Sequence, residues 1–203
     1  SNTDGLRDGE AVTIHAQADS GSSVYGLEAR LCAGDSPAVY DADLYPTVKQ
    51  PNFALAKKLA NGHTGSGKAV LYTFSSSYGP LWAQIVQFNL KQIGVDVSIE
   101  SFPRGVQIGK IETKGEAFDI GINGWGADYA DPYDFLNVLL DGTKLQAANN
   151  VNISYFNNPA YNKKMQAAAS LTGPKRLSTY GALDIDLMKN HAPLAPILNG
   201  NNR

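Results

Sequence analysis

Residues 69–100 read AVLYTFSSSYGPLWAQIVQFNLKQIGVDVSIE. Ala69–Phe74 is a short apolar run of strand length. Ser75-Ser76-Ser77-Tyr78-Gly79-Pro80 has loop composition, and Pro80 suits a first helical turn, where its missing N–H leaves nothing unpaired. Leu81, Trp82, Ile85, Val86, Phe88, Leu90 and Ile93 then form a wide apolar face at helical spacing, and Gly94 stops it. Beyond it Val95, Val97 and Ile99 alternate with Asp96, Ser98 and Glu100, the period of a half-buried strand. A strand, a helix and a second strand in that order place the chain in the α/β class.

Working outward, the same patterns recur. Upstream, Phe53, Ala56 and Leu59 share one face of a helix that opens near Pro51 and closes at Asn61-Gly62. Val12–Ala16 alternates as a strand. After the turn cluster Ala18–Ser23, Val24–Leu31 returns as its hairpin partner. Residues 33–51, with three prolines, read as an irregular connection. Downstream, Val106, Ile108 and Ile111 carry a weaker helical pattern within 103–117, and Phe118–Ile122 reads as a buried strand. Asp131-Pro132 breaks the chain, and Phe135–Leu140 is a short helix ended by Asp141-Gly142. Asn158-Pro159 opens a helix with Tyr161, Met165, Ala168 and Ala169 inward. Pro174 opens another with Leu177, Tyr180, Asp184 and Leu187, and Pro193–Leu198 is extended because two prolines forbid a helix interior. The expectation is one lobe with a mixed central sheet flanked by helices around a single core, and with Trp125 at a strand's end.

Composition excludes several classes. A net charge of −2 gives no basic surplus for nucleic acid or an anionic membrane. No apolar run reaches the roughly 18 residues of a membrane-spanning helix. With one cysteine, Cys32, an intrachain disulfide is impossible. The start, Ser1-Asn2-Thr3, lacks the basic and apolar stretches of a signal peptide and reads as the scar of a removed tag, so the missing targeting segment carries no information.

The motifs that would mark an enzyme fail on context. Gly62–Lys68 resembles the first part of a phosphate-binding loop, but Ala69 stands where Ser or Thr must hold magnesium. A helix precedes it and a strand follows, the reverse of what a phosphate needs. His15, His63 and His191 lack metal spacing. No Gly-x-Ser-x-Gly elbow occurs, and Cys32 has no histidine near it in sequence. Asp128, Asp131 and Asp134 are spaced wrongly for a calcium loop, and Pro132 intrudes. A paired acid and base for glycoside cleavage would need two carboxylates facing one cleft, which spacing does not reveal. No catalytic residue, metal or cofactor is assigned.

What remains is Gly121-Ile122-Asn123-Gly124-Trp125-Gly126-Ala127-Asp128-Tyr129-Ala130-Asp131-Pro132. A buried strand runs into a glycine-flanked tryptophan, an acid, a tyrosine and a proline turn. Open α/β sheets bind ligands beyond the carboxyl ends of their strands, so the place is right for a site. Glycines at 124 and 126 admit close approach of another backbone. From the residues alone a second reading stands beside this one: Trp125 as core and the acids as caps of the next helix.

The run Gly124–Leu136 resembles the solute-binding family that serves peptide, dipeptide and nickel ABC importers. Trp82–Glu100, Phe118-Asp119-Ile120, Asn157-Asn158-Pro159 and Ala192–Ile197 are similar to other parts of that family, in order. The resemblance covers roughly residues 51–199 and implies one lobe of a type II periplasmic-binding-protein-like fold over residues 51–203, with 1–50 a separate N-terminal segment. It implies a substrate-binding component that captures peptides or a similar small polar solute, works with an ABC permease in the membrane and is completed by a second lobe of the same protein. A sensory or interaction domain on the same fold is the alternative, and a hydrolase a further one. The location implied is periplasmic or extracellular, with anchoring as a lipoprotein, and the protein is expected to be a monomer. The ligand-binding residues implied are Trp125, Gly126, Ala127, Asp128 and Tyr129. Asp128 stands where peptide-binding members place the acid that meets the ligand's amino terminus. Backbone groups around Trp125 and Gly126 stand where an extended peptide pairs.

Overall fold

The structure is a computed structural model that describes residues 52–62, 64–65 and 67–195, together with two backbone strands at 13–17 and 23–28. Cys32, His63, the connection 33–51 and residues 196–203 lie outside the described residues. Strands β1 (Thr13–Gln17) and β2 (Ser23–Glu28) pair antiparallel as the expected hairpin, with a register shift between Ile14 and Ala16.

The core of the fold is the stretch quoted first. Strand β3 (Lys68–Phe74) leads through helix α2 (Gly79–Gln92) to β4 (Asp96–Phe102), which pairs parallel to it from Lys68↔Asp96 to Phe74↔Phe102. Helix α3 (Arg104–Ile111) carries the chain back to β5 (Ile120–Gly121) on the other side of β3, giving the order β4-β3-β5. Every described strand of this central sheet runs parallel; the antiparallel pairing belongs to the hairpin. Alternating side chains face opposite ways along a strand. Leu71 therefore packs with Ala83 and Val97 under α2, while Tyr72 meets Phe102 and Phe118 under α3. Lys110 on α3 lies over the Tyr72 and Phe102 rings.

The α2 turn needs glycine. A Cβ at Gly79 would overlap the Phe74 carbonyl, and Thr73 Oγ1 donates to the Gly79 carbonyl at 3.0 Å, so strand end and helix start are pressed together. Only one flank of the broad apolar face of α2 is used. Ala83 is buried and Trp82, Val86 and Leu90 pack on the sheet, while Leu81 and Phe88 are each 52% exposed. The helix before the sheet, α1 (Phe53–Ala60), starts one residue after Asn52, whose side chain accepts from Leu55 N at 2.9 Å. Its expected inward face is not buried: Leu59 is exposed, because no described element covers it. The glycine turn before β3 has a helix on one side and a strand on the other, as its sequence context required.

The expected strand 118–122 is shorter than its apolar run. Asp119 replaces ladder pairing at the entry, its carboxylate accepting from Val70 N at 2.8 Å while its own N donates to the Val70 carbonyl at 2.9 Å. Beyond β5 the chain crosses to α4 (Tyr133–Leu140), a 3-10 turn (Gly142–Lys144), α5 (Pro159–Ala169) and α6 (Gly173–Asn190). Asn158 caps α5, its side chain accepting from Ala160 N and Tyr161 N. Leu136, Leu140, Tyr161, Met165, Tyr180 and Leu187 form the centre of a second apolar cluster.

The buried apolar residues thus fall into two clusters instead of the single core expected of one lobe. Polar bonds join the halves. Asn150 N and its side-chain amide both donate to the Glu112 carbonyl, Lys114 N donates to the Ala147 carbonyl, and Tyr155 OH donates to the Ile111 carbonyl at 3.0 Å. Main-chain carbonyls freed at the end of α3 are satisfied by this seam, which is why a polar boundary can be buried.

Candidate functional site

The loops that follow β3, β4 and β5 all open at the carboxyl edge of the parallel sheet, the edge at which such sheets bind ligands. Residues of β3, of α3 and of the chain after β5 are tied together there. Arg104, first residue of α3, donates to Asn123 Oδ1 at 2.8 Å and lies over the Phe74 ring at 4.7 Å. Gln107, fully buried, donates to the Ile122 carbonyl at 2.7 Å. The exit of β5 is therefore held by α3 before the chain enters the segment 123–131.

That segment has no regular structure, and Gly124 to Ala130 are all exposed. Trp125 is 37% exposed and Tyr129 49%. Trp125 lies four residues past the end of β5, as expected of a strand-end aromatic, and its exposure sets aside the reading that makes it core. Among the described residues, its chain neighbours aside, a Cβ at Gly124 or Gly126 would meet no atom within 4 Å. Internal packing does not demand glycine at either position, and both backbones are open to approach from outside.

The three acids divide into distinct tasks. Asp131 is bound to Arg176 of α6 by two hydrogen bonds, Nε to Oδ2 at 2.9 Å and Nη2 to Oδ1 at 2.7 Å, and it accepts from Tyr133 N at 2.8 Å. The Arg176 guanidinium, with help from that backbone N–H, holds the Asp131 carboxyl below its ordinary range. The third nitrogen of Arg176 donates to the carbonyls of Ala168, Ala169 and Leu171 at the end of α5, so one side chain clamps the loop and caps a helix. Asp134, in the first turn of α4, is 1% exposed, and its Oδ2 accepts from Trp125 Nε1 at 3.2 Å and from Asp128 N at 2.9 Å. Asp128 alone has its carboxylate exposed and without a hydrogen bond or ion pair among the described residues. Partial burial, then the carboxylates of Asp134, Asp131 and Asp128, raise the Tyr129 phenol above its ordinary value, so it stays a neutral donor.

Of the three acids only Asp131 meets a backbone N–H at the start of α4, that of Tyr133; Asp134 spends its carboxylate on the loop, and Asp128 meets no helix N–H. Among the described residues no group of three or more His, Cys, Asp or Glu is placed to hold a metal ion. Of the expected ligand residues the structure brings Trp125, Gly126, Ala127, Asp128 and Tyr129 to one exposed loop. Sequence reasoning did not connect Arg104, Gln107 or Arg176 with it. Arg176 lies 45 residues from its partner, and nothing local marks it.

Residues 24–147 match the model of the bacterial extracellular solute-binding proteins, family 5, middle region. This match starts earlier and ends sooner than the resemblance read over 51–199. The chain is 33% identical over 134 residues to the periplasmic murein peptide-binding protein MppA of Escherichia coli K12, covering 66% of this chain and 23% of that protein. The MppA structure superposes with a TM-score of 0.61 at 31% identity, covering 71% of this chain and 28% of that one. A probable D,D-dipeptide-binding periplasmic protein of the same organism, DdpA, is 29% identical over 137 residues, covering 66% of this chain and 25% of that protein. For fold alone, the clavulanic acid biosynthesis oligopeptide binding protein 2 superposes with a TM-score of 0.70 at 24% identity, covering 80% of this chain and 31% of that one. The chain spans about a quarter of the length of the curated relatives it matches. With the family match extending over more than half of its residues, on an α/β fold shared with solved peptide-binding proteins, this chain belongs to the bacterial extracellular solute-binding proteins of family 5.

Proposed function

We propose that this chain is a ligand-binding part of an ABC-importer solute-binding protein that captures peptides, or similar small solutes with a free amine, outside the cytoplasm and passes them to a membrane permease. The observation that carries the reading is that, of the three acids of this loop, Asp128 is the one whose carboxylate has no partner among the described residues. It sits on an exposed loop beside Trp125, while the two neighbouring acids are fully engaged in holding that loop. An ammonium enclosed between two lobes needs a charge partner, since its desolvation is otherwise prohibitive. Open backbone at Gly124 and Gly126 leaves room for an extended peptide to pair beside the aromatic ring. The relatives' names point the same way: one is described as binding murein peptide and another as probably binding D,D-dipeptides.

The test is calorimetry on the full-length protein with a free-amine peptide and its acetylated twin. Asp128→Asn keeps the shape and removes the charge. Truncating one partner of an enclosed pair costs about 2–5 kcal/mol, or roughly 30- to several-thousand-fold in affinity. In the isolated chain, where the acid faces water, the same change costs about 0–1 kcal/mol. If the free-amine peptide binds Asp128→Asn as tightly as wild type, or acetylation makes no difference, the amine-anchor role is wrong.

A further inference from the structure

We propose that Asp134 is the positioning residue of this site: a single buried oxygen holds the Trp125 indole and the Asp128 backbone in register, and so aims the Asp128 carboxylate at the ligand. The inference rests on the ligand reading above and adds to it the group that sets the geometry. Between Asn123 and Ala130 the loop has no helix or strand to fix it. Two of the hydrogen bonds that tie this stretch to the rest of the described chain end on Asp134 Oδ2, one from the indole N–H and one from Asp128 N. A third, from Arg104 to Asn123, holds only its beginning.

Asp134 cannot itself meet a ligand, because it is 1% exposed. It stands in the first turn of α4, where unpaired backbone N–H groups and the helix dipole favour a carboxylate. No cation pairs with it among the described residues, in contrast to Asp131, which is neutralised by Arg176. The two N–H donors of the loop are thus its partners. A carboxylate held this way accepts charge-assisted bonds, which are shorter and stronger than neutral ones. Losing it frees the indole and the Asp128 backbone together. The aromatic face and the anchoring charge then lose their common reference, and the cost appears in ligand affinity before it appears in overall folding.

The experiment compares variants of the full-length protein with tri-alanine and acetyl-tri-alanine as probes. Position 125 is read by the fluorine-19 signal of 5-fluorotryptophan, assigned through Trp125→Phe. Asp134→Ala is expected to move that signal without ligand and to weaken tri-alanine roughly 10- to 100-fold, from the loss of bonds to a charged group. Acetyl-tri-alanine should change by less than about 3-fold, since it makes no use of the aimed charge. Asp134→Asn keeps an oxygen in the same place and should lose less than about 5-fold. If Asp134→Ala does not fold, Asp134→Ser, too short to reach the loop, carries the same comparison. An unmoved tryptophan signal, equal losses for the two peptides, or an Asn variant as weak as the Ala variant would each overturn the proposal. An Asp128→Asn protein that binds tri-alanine normally would take down the ligand reading instead, and the tryptophan signal would then decide alone whether Asp134 holds the loop.

Discussion

The two halves of the molecule bury their apolar residues in different company. Around the sheet, Leu71, Phe74, Ala83, Val97 and Ile122 pack with few polar intrusions, and α2 leaves a flank of Leu81 and Phe88 in the open. Among the C-terminal helices the apolar cluster is threaded with Asn137, Asp141, Asn162 and Asp184, all buried. Most of these are satisfied. Tyr180 OH donates to Asn137 Oδ1 at 2.6 Å, Asp141 Oδ1 accepts from Thr143 N and Oγ1, and Asn162 Oδ1 accepts from Gly142 N. The sheet half is specified by shape and the helical half by polar pairing, because each buried polar group must find its partner or pay its full desolvation cost. The site loop leaves the first half and is fastened in the second, by Asp134 on α4 and by Asp131 to Arg176 on α6.

Four substitutions, in three tests, probe that contrast. The largest effect is expected from the two crowded glycines. A methyl at Gly79 would overlap the Phe74 carbonyl, and one at Gly142 would overlap Asn157. Gly79→Ala and Gly142→Ala should each cost about 3 kcal/mol or more, as backbone cannot yield cheaply. Hydrogen exchange should show lost protection centred on β3 and β4 for the first and on α4 to α6 for the second. If either change lowers both halves equally, the two clusters are one cooperative unit and the contrast is only one of composition.

A smaller effect, of opposite sign, belongs to Asp184. It lies in the helical cluster with no hydrogen-bond partner among the described residues, and burial pushes its carboxyl up from 3.8 to about 7. The folded state therefore holds the proton over a window in which the unfolded chain has lost it. Stability from this group is fully present below about pH 4 and falls as pH rises toward 7. Asp184→Asn should raise stability at pH 8 by about 2 kcal/mol and flatten the decline between pH 4 and 7, as read by thermal melts across that range. A variant no more stable than wild type at pH 8 would show that the acid is accommodated there.

The smallest is Arg176→Gln. Its pair with Asp131 is 16% and 29% exposed, so part of its strength is screened by water. A loss of about 1–2 kcal/mol is expected near neutrality, including the three α5 carbonyls left uncapped. Because Arg176 lowers the Asp131 carboxyl, the ion-pair share of this loss is present above about pH 4 and vanishes as pH falls through the lowered value. A difference from wild type that stays constant down to pH 2 would mean that capping, not charge, is what Arg176 supplies.

Much of this architecture was legible locally. Strand periodicity, Pro80, Gly94 and Asn158-Pro159 report conformations that a few neighbouring residues decide, and the elements lie where those residues place them. The loop around Trp125 was legible as a run because strand, glycines, aromatic and acid lie side by side. What was not legible depends on partners far along the chain. Nothing near Asp131 announces Arg176, and nothing near Val70 announces that the Asp119 carboxylate will take the place of a ladder bond. Leu59 and Phe88 match an inward apolar spacing and are exposed, since spacing marks a face without saying whether anything covers it. The division into two clusters was hidden for the same reason: the apolar stripes of α4, α5 and α6 do not say that they pack on one another and apart from Leu71 and Val97 of the sheet.

The order of strands across the central sheet has a consequence for assembly during synthesis. The middle strand is the first of the three to be made. Its neighbour β4 arrives 28 residues later, from Lys68 to Asp96, whereas the link from Val70 to Asp119 spans 49. Closing the longer loop costs only about 0.5 kcal/mol more entropy, so both pairings are accessible once the chain exists. A growing chain meets them in sequence, however, and until residue 120 has emerged β3 offers an unpaired edge on the side where β5 will lie. The start of the loop that follows β5 can be held by α3 as soon as it is made, but the rest is fastened only when α4 and α6 bring Asp134 and Arg176. A nascent protein of this topology therefore has its sheet scaffold well before the exposed loop around Trp125 is fastened to the later helices.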